Sequence, residues 1–226
     1  MKKWFLTILA AALAFTSCNL DDSVYTLTNV NNYLTYKDDV LKNDAGVTFT
    51  VTHDNTDGKW KTDGNRFFAI FDVLNINYDI AMKSYMEAII QAPETMPAME
   101  SEDGVHGDPV TIVDCCLGGV YLNLIVGFYV KTGSDNTHDM HLYWEDDKRT
   151  LSLTLIHNGN GETPVEIKES ELTYVTRVYC FPIQNLVSSG EQRTITLSVD
   201  SLVKQSDGTY TSVPFTSSVY GGLVTF

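Results

Sequence analysis

The chain is 226 residues long, 43% hydrophobic, 11% aromatic and 19% charged, and its 15 Lys and Arg face 29 Asp and Glu for a formal net charge of -14. That balance excludes the clustered basic surface from which nucleic-acid binding draws most of its affinity, and an anionic membrane surface repels such a chain. Acid groups such as Asp38-Asp39 and Glu145-Asp146-Asp147 are read first as extracellular solubility and second as an acidic binding face.

Residues 1–17 have the three parts of a secretory leader: Lys2 and Lys3, an apolar run over 5–15, and the small residues Thr16 and Ser17. A bilayer-spanning helix needs about twenty apolar residues, so the shorter run predicts a cleaved signal. The stretch resembles bacterial lipoprotein signals, although Phe15 stands where Leu is usual. The resemblance implies that Cys18 becomes the first residue and carries acyl chains; plain secretion with an exposed Cys18 is the alternative. Each buried methylene contributes about 0.8 kcal/mol, so two or more chains hold a protein on a membrane. Loss of Lys2 and Lys3 takes the formal charge from -14 to -16. Residues 18–24 form the tether, and Asn19-Leu20-Asp21-Asp22 resembles the acidic export signal of lipoproteins in the Bacteroides group. Asp21 and Asp22 are therefore export candidates, with an ordinary solvated tether as the alternative. The expected location is the outer membrane, facing either the cell surface or the periplasm.

The remaining chain predicts an all-β protein, because short runs of period-two alternation are separated by Gly, Asn and Asp clusters. Residues 25–95 form a first module. Val47, Phe49 and Val51 alternate with Thr48, Thr50 and Thr52, and a second strand over 66–73 follows the turn Asp63-Gly64. Over 78–90, Ala81, Met82, Lys83, Met86, Glu87 and Ala88 favour helix, but strand is the preferred reading. Residues 96–108 are acidic and contain Pro97, which marks a linker. Residues 109–226 form the second module, with strands expected near 110–116, 120–130, 138–145, 149–157, 173–183, 193–199 and 210–226. Six or seven short strands suit an antiparallel β-sandwich.

The ordered set Gly118-Gly119-Val120-Tyr121-Leu122-Asn123-Leu124, then residues 138–142, then Leu151-Ser152-Leu153-Thr154-Leu155-Ile156-His157-Asn158 resembles the NigD-like lipoproteins of Bacteroidota. Asp63-Gly64-Asn65-Arg66-Phe67 and Val178-Tyr179-Cys180-Phe181-Pro182-Ile183 fit the same pattern. The resemblance implies a small OB-like β-barrel followed by an antiparallel β-sandwich. The family name points to a bacteriocin gene cluster and carries no established activity. Two residues depart from the pattern: Glu162 stands where Asp is expected, and Asn65 where a charged residue is common.

Setting Cys18 aside leaves Cys115, Cys116 and Cys180. On a strand, Cys115 and Cys116 point to opposite faces, so at most one of them faces Cys180; the alternatives are one disulfide or three buried thiols acting as small hydrophobes. His138 and His141, three apart, fall on opposite sides of an ideal strand, which disfavours a shared metal. His157-Asn158-Gly159-Asn160-Gly161 ends a strand in a turn that needs positive φ. Asp54-Asn55-Thr56-Asp57-Gly58 supplies oxygens without the register of a calcium loop. No G-x-S-x-G elbow or catalytic cysteine signature is present. No catalytic residue, metal or cofactor is therefore expected.

Trp60, Tyr143 and Trp144 sit beside turns or acids and are the ligand-binding candidates, with core packing as the competing explanation. The leading expectation is a non-enzymatic outer-membrane lipoprotein that binds another envelope or extracellular protein. Bacteriocin immunity is the second reading, and a carbohydrate-binding or metal-dependent hydrolytic surface protein the third.

Overall fold

The computed structural model describes residues 26–96, 107–187, 194–219 and 221–223. Cys18, Asp21, Asp22 and the whole leader lie outside the described residues, as does most of the linker.

Five strands close the first module: β1 (Leu27–Lys37), β2 (Val40–Asn43), β3 (Thr48–Asp54), β4 (Arg66–Val73) and β5 (Asp79–Ile90). Pairing runs β1–β2–β3–β5–β4 and returns to β1, with β3 and β5 parallel and every other pair antiparallel. This is a closed Greek-key barrel of the OB kind. Alternation along β4 turns Phe67, Ala69, Phe71 and Val73 inward, where they pack with Leu34, Leu41, Phe49, Trp60, Ile80 and Met82. The tight turn at Asp63-Gly64 precedes β4 as expected, with Gly64 at φ 79°. Residues 79–90 are strand despite their helix formers, because Ile80 and Met82 each fill the barrel and pair on both sides. Tertiary burial outweighs intrinsic propensity there.

The second module has two facing sheets. One comprises β7 (Thr111–Gly119), β8 (Tyr121–Lys131), β11 (Leu172–Pro182) and a short β14 (Gly221–Leu223). The other runs β13 (Tyr210–Ser218), β12 (Thr194–Lys204), β10 (Thr150–Asn158), β9 (Asp139–Asp146) and β6 (Glu94–Thr95). Leu122, Leu124, Val126, Phe128, Tyr179 and Phe181 from one sheet meet Leu142, Leu151, Leu153, Leu155, Leu197 and Val199 from the other.

Two expectations need correcting. The sandwich is mixed rather than purely antiparallel, since β10 and β12 pair in parallel. Between them the chain crosses to β11 in the opposite sheet and returns, and two crossings restore the original direction. Glu94 and Thr95, placed with the barrel in the sequence reading, pair with Tyr143 and Trp144 and so belong to the sandwich.

The modules share backbone as well as side chains. The end of β5 leaves the barrel, and Ala88, Ile89 and Ile90 pair in parallel with Val178, Tyr179 and Cys180. A third apolar cluster seals the junction, with Tyr33 and Phe68 of the barrel against Ile125, Val178 and Cys180 of the sandwich. β8 is consequently buried on both faces from Leu122 to Phe128, which explains why its only polar side chain there is Asn123.

Candidate functional site

Trp60 is only 2% exposed and packs inside the barrel. Its indole Nε1 donates to Asp54 Oδ2 at 3.0 Å, while Asp54 Oδ1 accepts from the backbone and hydroxyl of Thr56. The ligand-binding expectation for Trp60 is thus replaced by a core role, and the loop's oxygens serve its own turn. Tyr143 and Trp144 are adjacent on β9 and point to opposite faces. Trp144 packs against the sandwich core, whereas Tyr143 stacks on His141 on the outer face, with ring centroids 6.1 Å apart. His141 Nδ1 lies 2.9 Å from Glu94 Oε1. Of the three aromatic candidates, Tyr143 alone sits on the outer face of the sandwich.

Sequence reasoning missed two buried polar groups. In the first, Glu162 accepts from Lys131 N at 2.6 Å, Ser134 Oγ at 2.7 Å and Asn136 Nδ2 at 2.6 Å. His138 Nε2 lies 3.1 Å from the same carboxylate, and His138 Nδ1 lies 3.1 Å from His157 Nε2. Burial alone raises the Glu162 carboxyl, but the Lys131 N–H, Ser134, His138 and Asn136 bonds outweigh it and hold it at about 2. His157 is lowered to about 4, chiefly by burial and next by the neighbouring His138 ring. When both rings are neutral, His157 Nε2–H donates to His138 Nδ1 and leaves His157 Nδ1 with no hydrogen-bond partner. The turn that delivers Glu162 forms as expected, with Asn160 at φ 57° and Gly161 at φ 72°. Asp108 Oδ2 clamps it by accepting from the Gly159 and Gly161 N–H groups. A side chain at Gly159 would strike His157 Cε1 at 2.6 Å, so glycine is required by the close approach of the rings.

The second group lies at the junction of the modules. Arg66 on β4 points out of the barrel, and all five of its N–H donors are used. Nη1 and Nη2 grip Asp44 at 2.7 Å each, Nη1 also reaches Thr35, Nη2 reaches Asn123, and Nε meets Cys180 Sγ at 3.2 Å. The guanidinium stacks on Tyr121, 4.1 Å from the ring centre. Asn123 completes the set by donating to Asp44 Oδ2 at 3.0 Å. A Cβ at Gly118 would collide with Asp44 Oδ2.

The same geometry decides the cysteines. Cys115 and Cys116 do face opposite ways, Cys115 towards the sandwich core and Cys116 towards the junction. Cys116 pairs with Asn123 and Asn123 with Cys180, so Asn123 stands between the two sulfurs in one row of the sheet. Two strand spacings put the outer Cα atoms roughly 10 Å apart, beyond the ~7 Å reach of a disulfide. All three thiols are free. Burial, first among the causes, pushes Cys115 and Cys116 up to about 12.

Among the described residues, one flank of the sandwich stays open. A cleft of about 460 Å³ lies between β7 and the β12–β13 pair, lined by Ile112, Cys115, Leu197, Val199, Phe215 and Val219 with Asp114, Cys116, Ser217 and Ser218. Phe215 is 53% exposed at its rim, with Val213 beside it at 43% and Val113 exposed on β7 at 56%. Val113 is the extra residue of a register shift between Ile112 and Asp114; such bulges re-aim side chains next to functional surfaces. The cleft's volume falls within the range of small-ligand and peptide clefts, roughly 300–1,000 Å³.

Residues 93–213 match the family model described as the NigD-like C-terminal beta sandwich domain. Similar folds occur in three Bacteroides structures. A NigD-like immunity protein from Bacteroides caccae is 20% identical with a TM-score of 0.58, over 87% of this chain and 93% of that one. A protein of unknown function from Bacteroides vulgatus is 17% identical with a TM-score of 0.59 over the same shares. A candidate lipoprotein from Bacteroides fragilis is 13% identical with a TM-score of 0.59, over 88% of this chain and all of that one. At these identities the likeness shows the fold. No functionally curated protein matches the sequence.

Proposed function

This chain belongs to the NigD-like family, and from that premise we propose that it is a lipid-anchored, non-enzymatic protein of the outer membrane that acts by binding another envelope or extracellular protein. The observation that carries this reading is the contrast between its polar clusters and its flank. The Arg66 guanidinium and the Glu162 carboxylate spend their hydrogen bonds within the chain, whereas Phe215 leaves apolar surface at the rim of an open cleft and Val113 and Val213 are exposed on the strands that border it. Acyl chains on Cys18 supply the membrane attachment. The Bacteroides fragilis candidate lipoprotein of like fold supports that attachment.

Mass spectrometry of the processed N-terminus and external protease on intact cells test the location. An acylated Cys18, with cleavage that depends on Asp21 and Asp22, is the expected result. An unmodified Cys18 on a freely secreted chain overturns the anchor.

Bacteriocin immunity is the second reading, favoured by the name of the Bacteroides caccae protein of like fold. Deletion of the gene then raises toxin sensitivity; unchanged sensitivity rejects it.

A further inference from the structure

We propose that β13 is a docking strand: an extended segment of a partner protein adds to its open edge and seats alternate apolar side chains in the cleft against β7. The proposal rests on the protein-binding reading above and names the surface and the chemistry of the partner.

In an antiparallel pair the residues alternate between bonding their neighbour and pointing away from it. Val110 N donates to Asp200 O and Leu202 N to Val110 O, so the even-numbered residues of β12 face Val110. The odd-numbered ones therefore bond β13, in agreement with Val219 N donating to Ile195 O. Phe215 is opposite Val199 and Pro214 opposite Asp200. Ser212, Pro214, Thr216 and Ser218 consequently turn their backbone groups away from β12. No strand pairs with that edge among the described residues.

Edge strands are normally guarded by charge. Residues 208–226 contain no Asp, Glu, Lys, Arg or His, so β13 has no such guard. Its one protection is Pro214, whose missing N–H lies on the open side and interrupts a continuous ladder. Beyond Pro214 the donors Thr216 and Ser218 remain, and this is the half of the strand that borders the cleft through Phe215, Ser217 and Ser218. A short ladder beside a pocket is the arrangement of strand addition, in which main-chain bonds give affinity and pockets for alternate side chains give specificity.

Three features choose the occupant. An acyl chain would leave the open N–H and C=O groups of β13 unpaired, which an added strand does not. A second copy would bring together two chains of net charge -14 and two edges interrupted by proline. A neutral or basic extended segment with apolar residues at alternate positions satisfies the edge, fills the cleft and complements the charge.

The test uses the mature lipidated chain in phosphatidylcholine nanodiscs. The probes are fluorescein-labelled eight-residue peptides with Lys at each end and Thr alternating with Leu, Phe or Trp, and the readout is anisotropy. At least one peptide should bind the protein over empty nanodiscs. Thr216→Pro removes an outward donor and no backbone bond to β12, only the Thr216 Oγ1–Ser198 Oγ contact of 2.8 Å; it should weaken binding at least tenfold, whereas Thr216→Val, which loses that contact alone, should bind as the parent does. Ser218→Pro should act in the same way and serves if Thr216→Pro does not fold. Pro214→Thr restores the missing donor and should tighten binding. Failure of every peptide, or binding indifferent to both proline variants, overturns the proposal. A concentration-dependent dimer abolished by Thr216→Pro overturns it in favour of a second copy. Because the assay is independent of cell location, a surface or periplasmic result for the anchor leaves it intact.

Discussion

Arg66 Nη2 of the barrel donates to the Asn123 carboxamide oxygen of the sandwich across 2.7 Å. That bond belongs to a set in which every guanidinium donor is matched, so the two modules are joined by a saturated polar contact inside an apolar seal.

Removing Arg66 should therefore be severe. Arg66→Ala leaves Asp44 and Asn123 without their partner, and breaking a buried pair in this way costs about 3–5 kcal/mol. Urea denaturation of the purified protein checks the loss. A change below about 1 kcal/mol would show that the junction is not under load.

Trp60 separates a core role from a binding role. Trp60→Ala should destabilise the protein by about 3–5 kcal/mol, as for other buried aromatics, through the barrel core and the lost bond to Asp54. A variant of unchanged melting temperature that fails to bind a ligand would instead restore Trp60 as a contact residue.

The buried histidine makes stability depend on pH. Because the folded His157 is held at about 4, chiefly by burial, the unfolded chain binds a proton that the folded chain refuses between its ordinary value of 6.5 and about 4. Stability must then fall as pH drops through that window, by about 3 kcal/mol at 1.36 kcal/mol per unit. Below it, Glu162 adds a further loss between its ordinary 4.5 and about 2, as its carboxylate takes a proton. His157→Phe should flatten the upper part of the curve in pH-dependent urea melts and leave the lower part.

The three thiols give a redox prediction. With Asn123 between Cys116 and Cys180, the oxidised and reduced protein should melt at the same temperature. Thiol titration should find Cys180 only after denaturation, while Cys115 and Cys116, half-buried beside the cleft, react slowly in the folded chain because burial raises both thiols. A reductant-sensitive melting temperature would refute the separation.

Much of the fold could be read from local pattern. The alternation around Val51, the Asp63-Gly64 turn and the glycine turn after His157 each obey a rule whose physical cause is within a few residues. The candidate site could not be read in that way. Trp60 beside a polar turn looks the same in sequence whether its ring points outward or into a barrel. Glu162 was visible only as a departure from a family pattern, because its partners Lys131, Ser134, Asn136 and His138 come from another strand and the loop after it. The neutral stretch after residue 207 was legible, yet nothing local shows that it forms an edge.

What the sequence determined by itself was the all-β class, the turns, the acidic balance and the candidate lipid anchor, since composition and period-two burial act at short range. Only the tertiary structure decided that Arg66 is an internal fastener, that Cys115, Cys116 and Cys180 do not pair with one another, and that the β13 edge borders a cleft. Each of these depends on register between strands distant in the chain. A shift of one residue would turn every side chain to the other face.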